Sequence, residues 1–225
     1  MTVMGGDRVV ETTSQAARIR PLLYGCKGCG SMVVEAALAM AGIDYAYEEV
    51  NYDADSPTRP LLLRVNPLGQ VPVLRLPDGT LLTESFAMIG WIDDQAPAAR
   101  LVPTPAEATR AMYLRWSVFL VAALYPTFTY GDDPSRWVGP GDAADRLRAS
   151  TDAQRINLLR QMEDAAGAPW FLGDRFSAID LYLSVMSWWR PGRDWFATNA
   201  PKLFAAANHA GQLPPVARMF RERMA

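Results

Sequence analysis

The stretch that most limits what this chain can fold into is Val65–Ser85, VNPLGQVPVLRLPDGTLLTES. Asn66-Pro67-Leu68-Gly69-Gln70 is a turn cluster, and Val71–Leu76 is a β-rich run with Pro72 at its second position. Proline has no N–H to give to a sheet ladder, so Pro72 belongs at a strand start or edge. Pro77-Asp78-Gly79 signals a tight turn in which the glycine supplies a positive φ. Leu81–Thr83 reads as the returning strand, and Glu84-Ser85 leads into the apolar helix Phe86–Trp91. A cis peptide bond before Pro72 would turn the Val71 backbone groups outward, where an extended ligand can pair with them. The start of the following helix, with Glu84 and Ser85, offers N–H groups and a hydroxyl to an anion.

Ahead of this stretch, Arg20–Tyr24 reads as a short apolar strand and Gly25–Gly30 as a turn. Ser31–Ala41 is a helix whose Met32, Val33, Ala36, Ala37 and Met40 make a broad apolar stripe, closed by Gly42 as its C′ residue. Tyr45–Val50 is a second strand, Asp53–Thr58 a polar loop and Arg59–Val65 a short helix. A parallel crossover followed by a hairpin gives the order β-α-β-α-β-β-α, with the last helix ending near Asp94-Gln95. Ala96–Pro105 carries three prolines and no periodicity, as a linker does. Beyond it no strand signal survives. Helices are expected over Ala106–Leu124, Asp142–Ala166, Pro201–Ala210 and Pro214–Met224, with a loop over Pro126–Gly141. Within Asp142–Ala166, Leu147, Ile156, Leu159 and Met162 form the inward face. Ser177-Ala178-Ile179-Asp180 has the form of a helix-capping box.

Composition narrows the function classes. The chain has 225 residues, half of them apolar and a fifth charged, as in a soluble globular protein of one large or two small domains. A net charge of −2 argues against a bulk electrostatic nucleic-acid binder. The longest strongly apolar run, Val118–Leu124, is too short to span a bilayer, so no membrane partner is expected. Residues 1–17 are polar, without a secretory apolar core, and read as a flexible leader. Two cysteines and one histidine are too few for a disulfide framework, or for a tetrahedral zinc site without carboxylate help; no metal is expected. The cysteines stand three apart in Cys26-Lys27-Gly28-Cys29, a spacing that suggests redox or nucleophilic chemistry in a reducing cytoplasm.

The pattern N-P-x-G-x-V-P-x-L, a hairpin, then E-S at a helix start resembles the thioredoxin-like half of the glutathione transferase family, with every position matched. The resemblance runs from about Arg18 to the C-terminus. It implies an α/β plus all-α fold: a thioredoxin-like, glutathione-binding domain over residues 18–95, a linker over 96–105 and an all-helical domain over 106–225. It further implies a cytoplasmic homodimer that uses glutathione as co-substrate and conjugates its thiol to a small electrophile. An apolar or aromatic electrophile fits the composition best.

By the same resemblance, Glu84 and Ser85 anchor the γ-glutamyl carboxylate, Val71 beside Pro72 pairs with the cysteinyl backbone, and Gln70 sits near the glycyl end. The group that meets the sulfur stays open among Cys29, Ser31 and Cys26. A thiol or hydroxyl at a helix start can stabilise a thiolate there, since the helix dipole favours negative charge. Counted back from Gly42, the family's usual positions fall on Gly28, Cys29 or Gly30, which singles out Cys29. Tyr113, Trp116, Phe119 and Leu120 are the expected lining of the second-substrate pocket. Two other readings stand beside conjugation. One is a glutathione-dependent thiol transferase or disulfide reductase using Cys29 or Cys26, since a second thiol can resolve a mixed disulfide. The other is a non-catalytic glutathione- or ligand-binding protein on the same fold.

Overall fold

The structure, a computed structural model, describes residues 20–224; the expected leader over 1–17 lies outside them. The first half runs β1 (Leu22–Gly25), α1 (Ser31–Met40), β2 (Ala46–Glu49), α2 (Arg59–Val65), β3 (Val73–Arg75), β4 (Leu81–Leu82) and α3 (Ser85–Gln95). The strands form one sheet in the order β2-β1-β3-β4. β1 and β2 are parallel across the α1 crossover, while β3 lies antiparallel to both β1 and β4. This is the thioredoxin-like plan expected from the sequence. The strands are shorter than their apolar runs. β3 begins at Val73 rather than Val71, because Pro72 has no N–H to continue the ladder.

Each face of the sheet is covered. On one side Leu23 and Leu74 pack against Val33, Ala36 and Ala37 of α1 and Met88, Ile89 and Ile92 of α3, all fully buried. On the other side Tyr24, Val50, Leu62 and Val73 form a smaller cluster under α2. The larger cluster continues without a break into the helical half.

That half contains α4 (Arg110–Phe119), a π-helical turn over Leu120–Leu124, α5 (Tyr125–Asp132), α6 (Ser135–Val138), α7 (Asp142–Ala165), α8 (Ala178–Met186), α9 (Arg193–Asn199), α10 (Pro201–Gln212) and α11 (Pro214–Met224). The loop expected over Pro126–Gly141 is therefore a correction: most of it is helical. Pro126 stands in the first turn of α5, where its missing N–H costs nothing, and the wide π turn before it absorbs the break. Buried Arg155 of α7 then holds the segment, donating from Nη2 to the Thr127 carbonyl at 2.7 Å and from Nε to Thr127 Oγ1 at 3.1 Å. The inward face of α7 is accordingly Arg155, Leu158, Leu159 and Met162; Leu147 and Ile156 are only half-buried. The helix expected from Ala106 starts at Arg110, and α9 carries no clear sequence signal.

The joined run Arg110–Asp132 is 23 residues long and contains an 18-residue window with a mean hydropathy of 1.2, enough by length and composition to cross a membrane. Its Tyr113, Trp116, Leu120, Leu124 and Phe128 instead belong to the core of the helical half.

Two polar devices order the helical half and the linker that leads into it. Asp180 closes the capping box of α8: the Ser177 N–H donates to Oδ2 at 2.8 Å, and the Phe171 N–H donates to Oδ1 at 2.8 Å. Arg175 ties down the linker, donating to the carbonyls of Arg100 and Val102 at 2.6 and 3.0 Å and to Glu107 at 2.7 Å.

Ser177→Ala removes one partner of the α8 box and is expected to lower stability by about 1 kcal/mol in denaturant titration. Glu107 gives a pH signature. Hydrogen bonding to Arg175 holds its carboxyl at about 2, below the usual carboxylate value of 4.5. A depressed native value means stabilisation that is present above the ordinary pKa and lost as pH falls through the native one. The melting temperature of a Glu107→Gln variant should trail the wild type at pH 6–7, and the gap should close between pH 4.5 and 2.

Candidate glutathione site

The site is assembled at the edge where β3, the start of α1 and the start of α3 come together. Asn66 frames the turn before β3. Buried to 4 %, it accepts from the Leu68 N–H at 3.1 Å and donates from Nδ2 to the Gln70 carbonyl at 2.9 Å. Gly69 takes φ +63, a conformation that any side chain resists, and its open α-carbon lets Arg59 and Leu63 pack close. Gln70 is exposed, whereas Val71 and Pro72 are half-buried. The Val71–Pro72 peptide bond is cis. Among the described residues, neither the N–H nor the C=O of Val71 has a hydrogen-bond partner.

Across the hairpin, Glu84 is exposed and sits at φ 63, one of two non-glycine residues at positive φ among those described. Side chains in this region cost on the order of 1–3 kcal/mol and gather at ligand clamps. Among the described residues the N–H groups of Ser85, Phe86 and Ala87 have no partner, as at any helix start; Met88 is the first to donate back, to the Glu84 carbonyl at 3.1 Å. Ser85 is half-buried, and its Oγ lies 2.8 Å from the hydroxyl of Tyr182 on α8. Sequence reasoning missed Tyr182. Nothing in an apolar helix distinguishes the tyrosine whose hydroxyl meets a residue 97 positions away.

Cys26 and Cys29 are joined as a disulfide in the loop before α1. Cys26 is buried and Cys29 is half-buried. Ser31 is turned inward and is 1 % exposed. Its hydroxyl donates to the Cys26 carbonyl at 3.0 Å and accepts from the Cys26 N–H at 3.1 Å, so it braces the loop, with Cys29 Sγ 3.4 Å away. The three candidates for the sulfur contact therefore lie together, but only Cys29 has an open side.

The helical half covers this loop. The Trp189 indole donates to the Gly28 carbonyl at 2.7 Å. The Tyr125 ring packs on Gly30, where an added β-carbon would stand 3.2 Å from the phenol oxygen. The Tyr125 hydroxyl is buried without a partner among the described residues, and burial pushes its pKa up. The expected second-substrate lining needs correction. Tyr113, Trp116 and Leu120 are 0 %, 2 % and 0 % exposed and belong to the core, because α4 turns that face onto α3 and α8. Phe119 is half-buried, its ring edge-on to Trp116 at 5.0 Å. Among the described residues no cluster of three or more histidine, cysteine or acidic side chains has metal-binding geometry.

Comparison with known proteins bears on this arrangement. A family model described as the glutathione S-transferase N-terminal domain matches residues 31–95. An uncharacterised GST-like protein, YncG, of Escherichia coli (strain K12) is 35 % identical over 201 residues, spanning 88 % of this chain and 96 % of the relative. A glutathione S-transferase of Xanthomonas campestris is 33 % identical over 146 residues, 64 % of this chain and 70 % of that one. Among solved structures, a glutathione transferase homologue from Sulfitobacter with bound glutathione aligns with a TM-score of 0.78 at 26 % identity, covering 92 % of this chain and 100 % of that one. A sphingomonad glutathione S-transferase complexed with glutathione aligns with a TM-score of 0.73 at 28 % identity, covering 90 % and 98 %. On the strength of the two sequence relatives, each matched over more than two thirds of its own length, this chain belongs to the glutathione S-transferase family.

Proposed function

We propose that this protein is a glutathione S-transferase that conjugates the thiol of glutathione to a small apolar or aromatic electrophile. The observation that carries the reading is the unpaired Val71 backbone beside the cis Pro72, together with the unpaired N–H groups at the start of α3. A tripeptide laid along that edge pairs its cysteinyl N–H and C=O with Val71 in the manner of an added strand. Its γ-glutamyl carboxylate meets the Ser85 hydroxyl and the start of α3, where the helix dipole favours an anion. The Glu84 carboxylate serves the ammonium of the same group, and exposed Gln70 serves the glycyl end. This reading brings the thiol to the loop before α1 and assigns Cys29, the most open of the three candidates, to meet it. A twofold pair of such chains is part of this reading.

The Cys26–Cys29 disulfide favours a second reading, thiol–disulfide exchange. A glutathione thiolate attacks Cys29 Sγ, and the S–S bond breaks with its electron pair leaving on Cys26. A second glutathione thiolate attacks the mixed disulfide and departs as glutathione disulfide, leaving two reduced cysteines. The dithiol then passes two electrons to a disulfide substrate and closes again.

Three variants test these assignments. Ser85→Ala should raise the KM for glutathione about tenfold or more, because a charge-bearing hydrogen bond is lost; an unchanged KM removes the anchor. Cys29→Ala should lower turnover at least about tenfold with an aryl halide or with a disulfide, and the substrate that suffers separates the two readings. Ser31→Ala should behave as a structural lesion. Stripping the brace from the buried Cys26 amide should cost about 1–3 kcal/mol in denaturant melts.

A further inference from the structure

The hydroxyl pair Ser85–Tyr182 joins the two halves at the anion end of the site, and it carries a statement beyond the roles already given. We propose that Tyr182 is a positioning residue for the glutathione site: its phenol fixes the Ser85 hydroxyl so that the serine proton points at the incoming γ-glutamyl carboxylate. This rests on the reading above that Ser85 meets that carboxylate.

The argument is a count of protons. Tyr182 is 0 % exposed, and Ser85 Oγ, at 2.8 Å, is its only hydrogen-bond partner among the described residues. A hydroxyl has one proton to give. Burial raises the Tyr182 pKa well above the ordinary 10, so the group remains a phenol wherever the fold survives. A buried O–H without an acceptor costs about 1–3 kcal/mol, so the Tyr182 proton goes to Ser85 Oγ. Ser85 then accepts on its inner side, which leaves its own proton to be donated on the outer side, toward the start of α3. A hydroxyl that accepts one hydrogen bond is also a better donor of the next.

Without the phenol, Ser85 could turn its proton inward, or onto a backbone carbonyl, and would have to be reoriented on binding. With it, the donor direction exists before the ligand arrives, and binding loses less to ordering. The phenol itself is held still. All nine residues of α8 are buried, its start is pinned by Asp180, and the Tyr182 ring packs edge-on to Tyr125 at 6.0 Å. The anion contact of the sheet half is thus set by a core side chain of the helical half.

The test is a double-mutant cycle with Tyr182→Phe, which keeps the ring, and Ser85→Ala. Glutathione affinity is read by titration calorimetry and by KM, and turnover at saturating glutathione is followed with an aryl halide. Y182F should weaken glutathione about 3- to 10-fold and leave kcat within about twofold. In the S85A background Y182F should have no further effect. A second ligand, 4-aminobutyryl-cysteinyl-glycine, is glutathione without the γ-glutamyl carboxylate, and Y182F should bind it as the wild type does. Equal loss from Y182F in both serine backgrounds, or equal loss for both ligands, would show that Tyr182 acts through packing and would overturn the proposal. So would a Y182F protein with wild-type affinity. The failure of the underlying reading looks different: S85A itself would then bind glutathione as the wild type does.

Discussion

The buried carboxylate of Asp180 is the interaction on which the arrangement depends. It is 0 % exposed, and two backbone N–H groups converge on it at 2.8 Å, one from Ser177 and one from Phe171. Burial pushes its pKa up to about 7, while the converging donors pull the other way. That balance marks a charge taken out of water for a structural purpose, since a buried carboxylate is tolerated only when its lone pairs are occupied. What it secures is the start and the angle of α8. This helix packs heavily on α10 and also meets α1 and α4, so the orientation of the helical half follows from it. It also delivers Tyr182 to Ser85 at the start of α3.

A second buried charge holds the middle of α1. Glu35 is 1 % exposed and receives Arg223 of α11 through Nε at 2.8 Å and Nη2 at 2.6 Å, with the Tyr45 hydroxyl donating at 2.9 Å. The Arg223 guanidinium lies 3.6 Å over the Tyr47 ring. A planar cation that pairs with a carboxylate on its edge and an aromatic ring on its face suits a half-buried position better than an ammonium would. The consequence is that α1, which follows directly on the cysteine loop, is gripped at its start and at its middle by the helical half. Trp189 and Tyr125 cover its start, and Arg223 clamps its middle. A loop held in this way keeps Cys29 in one place, and placement is what a nucleophile or a sulfur contact requires.

How much of this could be read from the chain follows from how local each signal is. The segment from Asn66 to Ser85 was legible because its residues act on their own backbone: Pro72 ends a ladder, Gly69 and Gly79 take positive φ, and a turn type follows from neighbours within four positions. The α8 box was legible for the same reason, since Ser177 and Asp180 are three apart. Legibility failed where a distant side chain decides the local structure. Pro126 reads as a break, yet Arg155, 28 residues beyond Thr127, supplies the hydrogen bonds that hold α5 in place. Tyr113, Trp116 and Leu120 fit a pocket lining and a core stripe equally well, because periodicity tells which residues share a face but not what that face meets. The chemistry of the cysteine loop was half legible. The CxxC spacing pointed to Cys26 and Cys29, but the role of Ser31 as a brace emerged only once its hydroxyl was found turned inward to the Cys26 backbone.

The same bracing ranks the two sulfurs. Attack on a disulfide requires access along the S–S axis, and the sulfur that leaves must tolerate a negative charge. Cys26 is buried beneath its own loop, and its amide and carbonyl are both committed to Ser31, whereas Cys29 borders the open side at the start of α1. An incoming thiolate therefore reaches Cys29, and Cys26 becomes the leaving group. The polarity of exchange is thus fixed by which cysteine the serine holds in. On the proposed reading, conjugation and exchange would both draw on Cys29 and differ only in the oxidation state of the loop.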